Sequence, residues 1–448
     1  MKFKILIIFG FYFLLSIFSN SNYANESCDS IIIANFSEYQ KLIDNGTYRK
    51  QFARNKHTDL NFDYDVKTPF SDYLIFAKKH IIQLNPRALI KCDKYKTAMF
   101  NNLTSLLKPN VVNLIAPYQL THKNNNKVVL LIHGLTDTPY HFHDLSLKFY
   151  EMGFDVRTLL LPGHGTTASE LSKISYKDWQ LATNYIIENS KKDYEEILLG
   201  GFSTGGALIF DYLKNNEKDD KIKAALFWSL GSEAKSSSAK YTPYLNYLPF
   251  LTWVDKSADI DFAKYESFPL NAAAQFYNLS KNVMSLLNEP LSDAFNIPFY
   301  AVSSDVDNTI NSDTSYKLFA KWQLKNNAKN SLLTRYKPRD KINTPSVLCV
   351  KLANCKTVID ISHTGITNSY QNPLYGKDTL YRNCSHYLNE PSLYASCLQT
   401  NTFGENHEKN IHQFEAINKT MARLTFNPHF DQMISDIKQF LQTNALLN

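Results

Sequence analysis

From about residue 111 onward the apolar residues fall into short unbroken runs, each followed by a segment in which they recur at helical spacing. The run KVVLLIHG ends in glycine and reads as a strand buried on both faces, since a strand with one wet face would alternate. YHFHDLSLKFYEMG follows with helical spacing and closes on Gly153, a helix-terminating glycine. The alternation continues through FDVRTLLLPGHG as strand and loop, SYKDWQLATNYIIENS as helix, EEILLGGFS as strand, TGGALIFDYLKNN as helix and IKAALFWSL as strand. Strands and helices in this order predict parallel βαβ units, so the fold class is α/β with a mostly parallel, doubly wound sheet.

The rhythm breaks after Leu230. Residues 231–294 are aromatic and irregular, with YTPYLNYLPFLTW and then a helix-like FPLNAAAQFYNLSKNVMSLL, before a strand resumes at IPFYAVSSD. An excursion that leaves one strand and rejoins the sheet at another predicts an inserted cap. KTVIDISH predicts one further strand, residues 368–425 are a polar tail, and HFDQMISDIKQFL is an amphipathic last helix. Upstream, residues 25–110 contain helix-like patterns, DYLIFAKKHIIQL and TAMFNNLTSLL, and read as an N-terminal, mostly helical extension to a 111–448 domain.

Composition adds compartment and excludes some partners. The 448 residues are 44% hydrophobic, enough for a large core, and the excess of 48 Lys and Arg over 42 Asp and Glu is spread without a basic block, which argues against nucleic acid. Lys2 and Lys4 precede an apolar stretch from Ile5 to Phe18, then polar residues and Ala24: the layout of a signal peptide over residues 1–24, and shorter than the about 20 apolar residues of a membrane span. Export to a periplasmic or secreted location is therefore expected. All six cysteines lie beyond that segment, and an even number in an exported chain predicts disulfides. Cys349 with Cys355 and Cys384 with Cys397 are the easiest local pairs, leaving Cys28 with Cys92, although sequence alone leaves the connectivity open. No C-x-x-C or H-x-x-x-H stands beside them to favour zinc.

The chemistry is carried by LLGGFSTGGA. A strand that turns into a helix within two residues needs small neighbours at the bend, and Gly201 and Gly205 flank Ser203 as G-x-S-x-G. The hydroxyl is left at the tip, at the carboxyl edge of the sheet where open α/β folds bind ligands. A helix starting at Thr204 aims its free N–H groups there. A serine nucleophile needs a base and a group to orient it. His363 follows the strand-like TVIDIS and precedes Thr364 and Gly365; the other histidines of the tail have no strand delivering them. In SSDVDNTI both Asp305 and Asp307 are eligible acids; Asp307 is preferred because Ile310 would anchor its turn in the core, while Asp313 caps the next helix. The backbone N–H groups of Leu135, in HGLTDTP, and of Thr204 would converge on an oxyanion. His133 and His164 read as loop staples, and Trp179 as packing.

HGLTDTP, LPGHG, GFSTGG, SSDVDNTI and ISHTG, in this order, resemble the α/β-hydrolase superfamily, in the branch of monoacylglycerol-lipase-like carboxylesterases and serine-aminopeptidase-like hydrolases. The resemblance covers residues 111–367 and the last helix. It implies Ser203 as nucleophile, Asp307 as acid, His363 as base, and the Leu135 and Thr204 amides as oxyanion donors, with no metal or organic cofactor. The implied substrate is a carboxylic ester of short to medium acyl chain or a monoglyceride-like lipid, with transient contact to a membrane surface, and the cap aromatics including Trp253 would line the acyl pocket. A peptidase or amidase using the same triad, and a non-catalytic binding module on a hydrolase fold, are the alternatives. The N-terminal extension, the long stretch from Asp307 to His363 and the cysteine-bearing tail depart from the usual core and leave the substrate open.

Overall fold

The computed structural model describes Cys28 and residues 61–97, 109–248, 250–257, 259–325, 328, 330–337 and 358–447. The leader segment, the Cys349 and Cys355 pairing and all but the first residue of the helix-like TAMFNNLTSLL lie outside the described residues.

The unbroken apolar runs become strands because neighbouring residues face opposite layers, both dry. In the strand Lys127–Ile132, Val128, Leu130 and Ile132 enter one core while Val129 and Leu131 enter another. Among the described residues the main sheet has seven strands: β1 (Gln119–Leu120), β2 (Lys127–Ile132), β3 (Asp155–Leu159), β4 (Glu196–Phe202), β5 (Ile222–Trp228), β6 (Phe299–Ser304) and β7 (Leu332–Tyr336). Their spatial order is β1-β3-β2-β4-β5-β6-β7, parallel throughout except for β1 against β3. The order reverses beside β2, so this is the doubly wound arrangement that the alternation predicts.

Helices cover both faces. One core joins the sheet to Trp179, Ala182 and Ile186 of α3 (Tyr176–Asp193), Ala207 and Phe210 of α4 (Thr204–Asn215), Leu279 and Val283 of α5 (Leu270–Ser285) and Phe319 and Trp322 of α6 (Ser312–Gln323). The other takes Leu145 and Phe149 of α2 (His143–Glu151) and Met433, Ile437, Phe440 and Leu441 of α7 (Phe430–Thr443). The last set recurs at one face of a helix, and each such side chain contributes about 1.5–3 kcal/mol on burial. Phe70, Tyr73 and Ala77 of α1 (Phe70–Leu84) enter the first core as well. The Tyr73 hydroxyl both donates to the Leu160 carbonyl (3.0 Å) and accepts from the Leu160 N–H (2.9 Å), which ties the segment upstream of the sheet into it.

After β5 the excursion forms a short helix at Thr242–Leu245, a two-stranded ribbon of Trp253–Asp255 with Phe268–Pro269, and then α5, which packs on α4 and α3 beside the sheet. The last strand of the sheet is β7, which the sequence reading missed; VIDIS is not a strand of that sheet. Val358 makes a single bridge to Phe403, and the Ile359 N–H donates to the Phe403 carbonyl. The reason is Asp360, whose carboxylate accepts the Glu405 N–H and the Asn410 side-chain N–H and is thereby committed to the tail rather than to a sheet face. Two disulfides are described, Cys28–Cys92 and Cys384–Cys397, both as expected.

Candidate active site

Parallel strands deliver their following loops to one edge. β2, β4 and β6 end at Ile132, Phe202 and Ser304, so the Gly134–Asp137 turn, Ser203 and Asp307 all emerge on the carboxyl rim. Ser203 is the residue between β4 and α4 and has φ 51°, left-handed for a side-chain-bearing residue, which costs on the order of 1–2 kcal/mol. The bend is that tight because the backbones touch. A Cβ on Gly205 would collide with the Ile132 carbonyl, and one on Gly201 would meet the Gly206 nitrogen at 2.5 Å. Three backbone hydrogen bonds hold the strained residue: its N–H donates to the Trp228 carbonyl (3.0 Å), and its carbonyl accepts from the N–H groups of Gly231 (2.9 Å) and Ala207 (3.2 Å).

Ser203 Oγ lies 3.0 Å from His363 Nε2, and His363 Nδ1 lies 2.6 Å from Asp307 Oδ2. The other oxygen of Asp307 accepts the N–H groups of Thr309 and Ile310, each at 2.8 Å, with Ile310 buried beneath. This carboxylate is thus fixed by its own turn and has one oxygen left for the ring. Asp305 turns away, paired with Arg335 at 3.0 Å and bonded by the Tyr316 hydroxyl. Asp313 does not cap α6: Asn311 occupies that position, and its side chain donates instead to Glu233.

The turn after β2 presents the other predicted donor. Among the described residues neither the Leu135 N–H nor the Thr204 N–H meets an acceptor, and both residues line the cavity that holds Ser203. Two imidazoles shape that turn. His133 accepts from the Leu161 N–H (3.0 Å) and its other nitrogen lies 2.8 Å from the Gly134 carbonyl, while His164 accepts from the Thr136 N–H (3.0 Å). Burial pushes His133 down to about 3 and His164 down to about 4, so both act as neutral acceptors at ordinary pH. Trp179 donates from its indole to the Pro162 carbonyl, fixing the LPGHG loop. In the same turn burial alone would push Asp137 up, but His141, with Nε2 at 2.9 Å, together with Lys264 and His133 holds it below the usual carboxylate range.

The cavity is about 470 Å³. Its lining includes apolar Leu135, Val254, Phe268, Phe276 and Ile310 and polar Asn308, Thr309, Asn383, Ser385 and Arg423, of which Asn308 and Arg423 also meet the Glu405 carboxylate that accepts the His363 N–H. Trp253 packs against the core rather than lining it, and Tyr244, Tyr247 and Phe250 face solvent.

A family described as "Serine aminopeptidase, S33" matches residues 123–248. That match and the mostly parallel, doubly wound sheet make the chain similar to the α/β-hydrolases. It is 31% identical over 91 residues to the thermostable monoacylglycerol lipase of Bacillus sp. (strain H-257), a match over 20% of this chain and 36% of that protein. It is 24% identical over 209 residues to a carboxylesterase of Bacillus subtilis (strain 168), covering 45% of this chain and 80% of that one. The solved monoacylglycerol lipase of Paleococcus ferrophilus aligns over 50% of this chain and 89% of its own, at 17% identity and a TM-score of 0.39.

Beyond the matched region, two residues reach this site from the tail and carry no signal in the sequence. Glu405, fully buried, accepts the backbone N–H of His363 (2.9 Å) and, more weakly, that of Asn308 (3.4 Å). Arg423 holds the same carboxylate through Nε (2.7 Å) and Nη2 (3.3 Å), and donates to Thr309 Oγ1 (2.8 Å). One charged pair therefore touches both the Asp307 loop and the His363 loop. Ser362 adds a third tie, donating to the Leu424 carbonyl and accepting the Gly365 N–H. A single Glu and a single Arg in a polar tail carry no periodic or motif signal; only the folded contact reveals them.

Proposed function

We propose that this chain is an exported serine hydrolase that cleaves carboxylic esters, of short to medium acyl chains or monoglyceride-like lipids. The observation that carries the reading is the run of contacts from Asp307 through His363 to Ser203, at 2.6 and 3.0 Å, at the mouth of a cavity with an apolar side. Ser203 Oγ attacks the ester carbonyl as neutral His363 takes its proton, Asp307 orients the ring, and the Leu135 and Thr204 amides receive the oxyanion. His363 then protonates the departing alcohol, and water, activated by the same ring, releases the acid from Ser203. The names of the lipase and carboxylesterase relatives support an ester substrate. The two disulfides support an oxidising, extracytoplasmic location.

Amide or peptide hydrolysis is the second reading, favoured by the name of the matching family and by Glu266, an acidic group on the cavity wall. Burial, with Asp261 beside it, pushes that carboxyl up to about 7, so near neutrality it is a poor partner for a substrate ammonium, and esters are preferred.

Fluorophosphonate labelling with parallel assays of nitrophenyl esters and aminoacyl amides tests both. The expected result is covalent labelling and ester turnover, both lost in Ser203→Ala with the fold retained. Ester turnover that persists in Ser203→Ala, or a folded wild type that neither labels nor turns over esters, would overturn the reading. An intact Met1 on the protein recovered from its native compartment would overturn export.

A further inference from the structure

The polar rim beside the base has a cation that the acyl chemistry does not use. Arg423 lines the cavity, its side chain only 15% exposed. Its Nε and Nη2 are taken by Glu405 and Thr309, while Nη1 meets no acceptor among the described residues. A guanidinium held along one edge by a buried carboxylate is already oriented, so a ligand binding its other edge does not have to order a long side chain.

Its position within the reaction follows from chemistry. The group that leaves must lie next to the ring that protonates it, whereas the acyl chain lies toward the oxyanion donors and the apolar wall. Arg423 is two contacts from the His363 backbone, through Glu405, and three from the ring, through Thr309 and Asp307. Asn308, Asn383 and Ser385 border the cavity with it. Of the carboxylates that line the cavity, Asp255 and Glu266 belong to the excursion after β5, and Asp137 belongs to the turn after β2, where His141 pairs with it at 2.9 Å.

Resting on the ester-hydrolase reading, we propose that Arg423 anchors an anionic group on the alcohol part of the substrate, so that the preferred substrates are esters of an alcohol that also bears a phosphate or carboxylate. Attack by Ser203 breaks the ester C–O bond, the leaving oxygen takes the proton from His363, and the alcohol departs with its anion beside Arg423.

The test compares one acyl chain carried on glycerol, on glycerol phosphate and on a small hydroxy acid, using the full chain. The two charged esters are expected to exceed the neutral one in kcat/KM by about 10- to 100-fold, mainly through KM, with the advantage shrinking as salt rises. The two charged arms show which anion is favoured. Because Arg423→Gln alone strands a buried Glu405, the informative variant is Arg423→Gln with Glu405→Gln, in which the charged-to-neutral ratio should fall to near one. Equal turnover of neutral and charged esters by the wild type, or an equal loss on all three in the double variant, would overturn the proposal. Direct titration of Ser203→Ala with glycerol phosphate against glycerol gives a readout that does not depend on turnover. Binding of the charged alcohol there without ester cleavage by the wild type would sink the hydrolase reading and leave the anion site standing. Absence of binding beside intact cleavage of neutral esters would do the reverse.

Discussion

Ser203 and His363, the proposed nucleophile and base, are held in opposite ways. Ser203 sits on a corner built by its immediate neighbours: a strand before it, a helix after it, and glycines that let the two backbones touch. His363 sits in a one-turn 3-10 segment that has one local tie, the Gly365 N–H to Ser362, and otherwise leans on partners distant in sequence, namely Asp307, Glu405 and the Leu424 carbonyl. A corner of the first kind is written in a handful of consecutive residues. A loop of the second kind exists only after several separate segments have met.

The most damaging way to break this contrast is from the elbow. In Gly205→Ala the new methyl meets the Ile132 carbonyl of a buried strand, so no folded protein is expected, read as loss of soluble material and of the thermal transition. On the other side, Asp307→Asn should keep the fold and lower kcat by about 10⁴-fold, because the ring loses the charge that orients it, measured on a nitrophenyl ester with the melting curve as control. Replacing Cys384 and Cys397 together by Ser releases a 13-residue separation in the tail and should cost about 3 kcal/mol, read in the melting temperature. If the tail supports the base, kcat falls with it; a variant that melts earlier at full kcat would separate the two.

Acid should act on the elbow side. His133, His143 and His164 are buried, and burial holds them neutral down to about 3, 3 and 4. In the unfolded chain they titrate near about 6.5, so below that pH the unfolded state binds more protons than the folded one and stability falls with pH. Each contributes a slope of about 1.4 kcal/mol per pH unit, and melting temperatures from pH 7.5 to 5 check it, with His164→Gln expected to flatten the curve. The smallest effect belongs to Asp305→Asn, whose partner Arg335 is a largely exposed cation: about 1 kcal/mol or less and under about 2-fold in kcat. An effect as large as that of Asp307→Asn would reassign the acid.

This contrast also explains what could be read in advance. The strands and helices through Trp228 follow from periodicity because β2, β4 and β5 alternate between two dry cores, and the Ser203 corner follows from G-x-S-x-G in that setting. Asp307 was separable from Asp305 because Ile310 anchors its turn. Sequence reading failed where partners are remote. VIDIS has the composition of a strand, yet Asp360 gives its carboxylate to the tail; β7, with Arg335 and Tyr336 in a short half-exposed edge, lacked the apolar run that marked its neighbours. Glu405 and Arg423 had no signature at all.

The support of His363 by Glu405 has a consequence for the order of events during synthesis. A nascent polypeptide threads out from its amino end, so the serine corner can be complete while the carboxylate that steadies the imidazole is still inside the ribosome. Competence at the proposed triad then waits for the tail, and products that stop short of Glu405 would carry a finished hydroxyl but an imidazole with nothing to lean on.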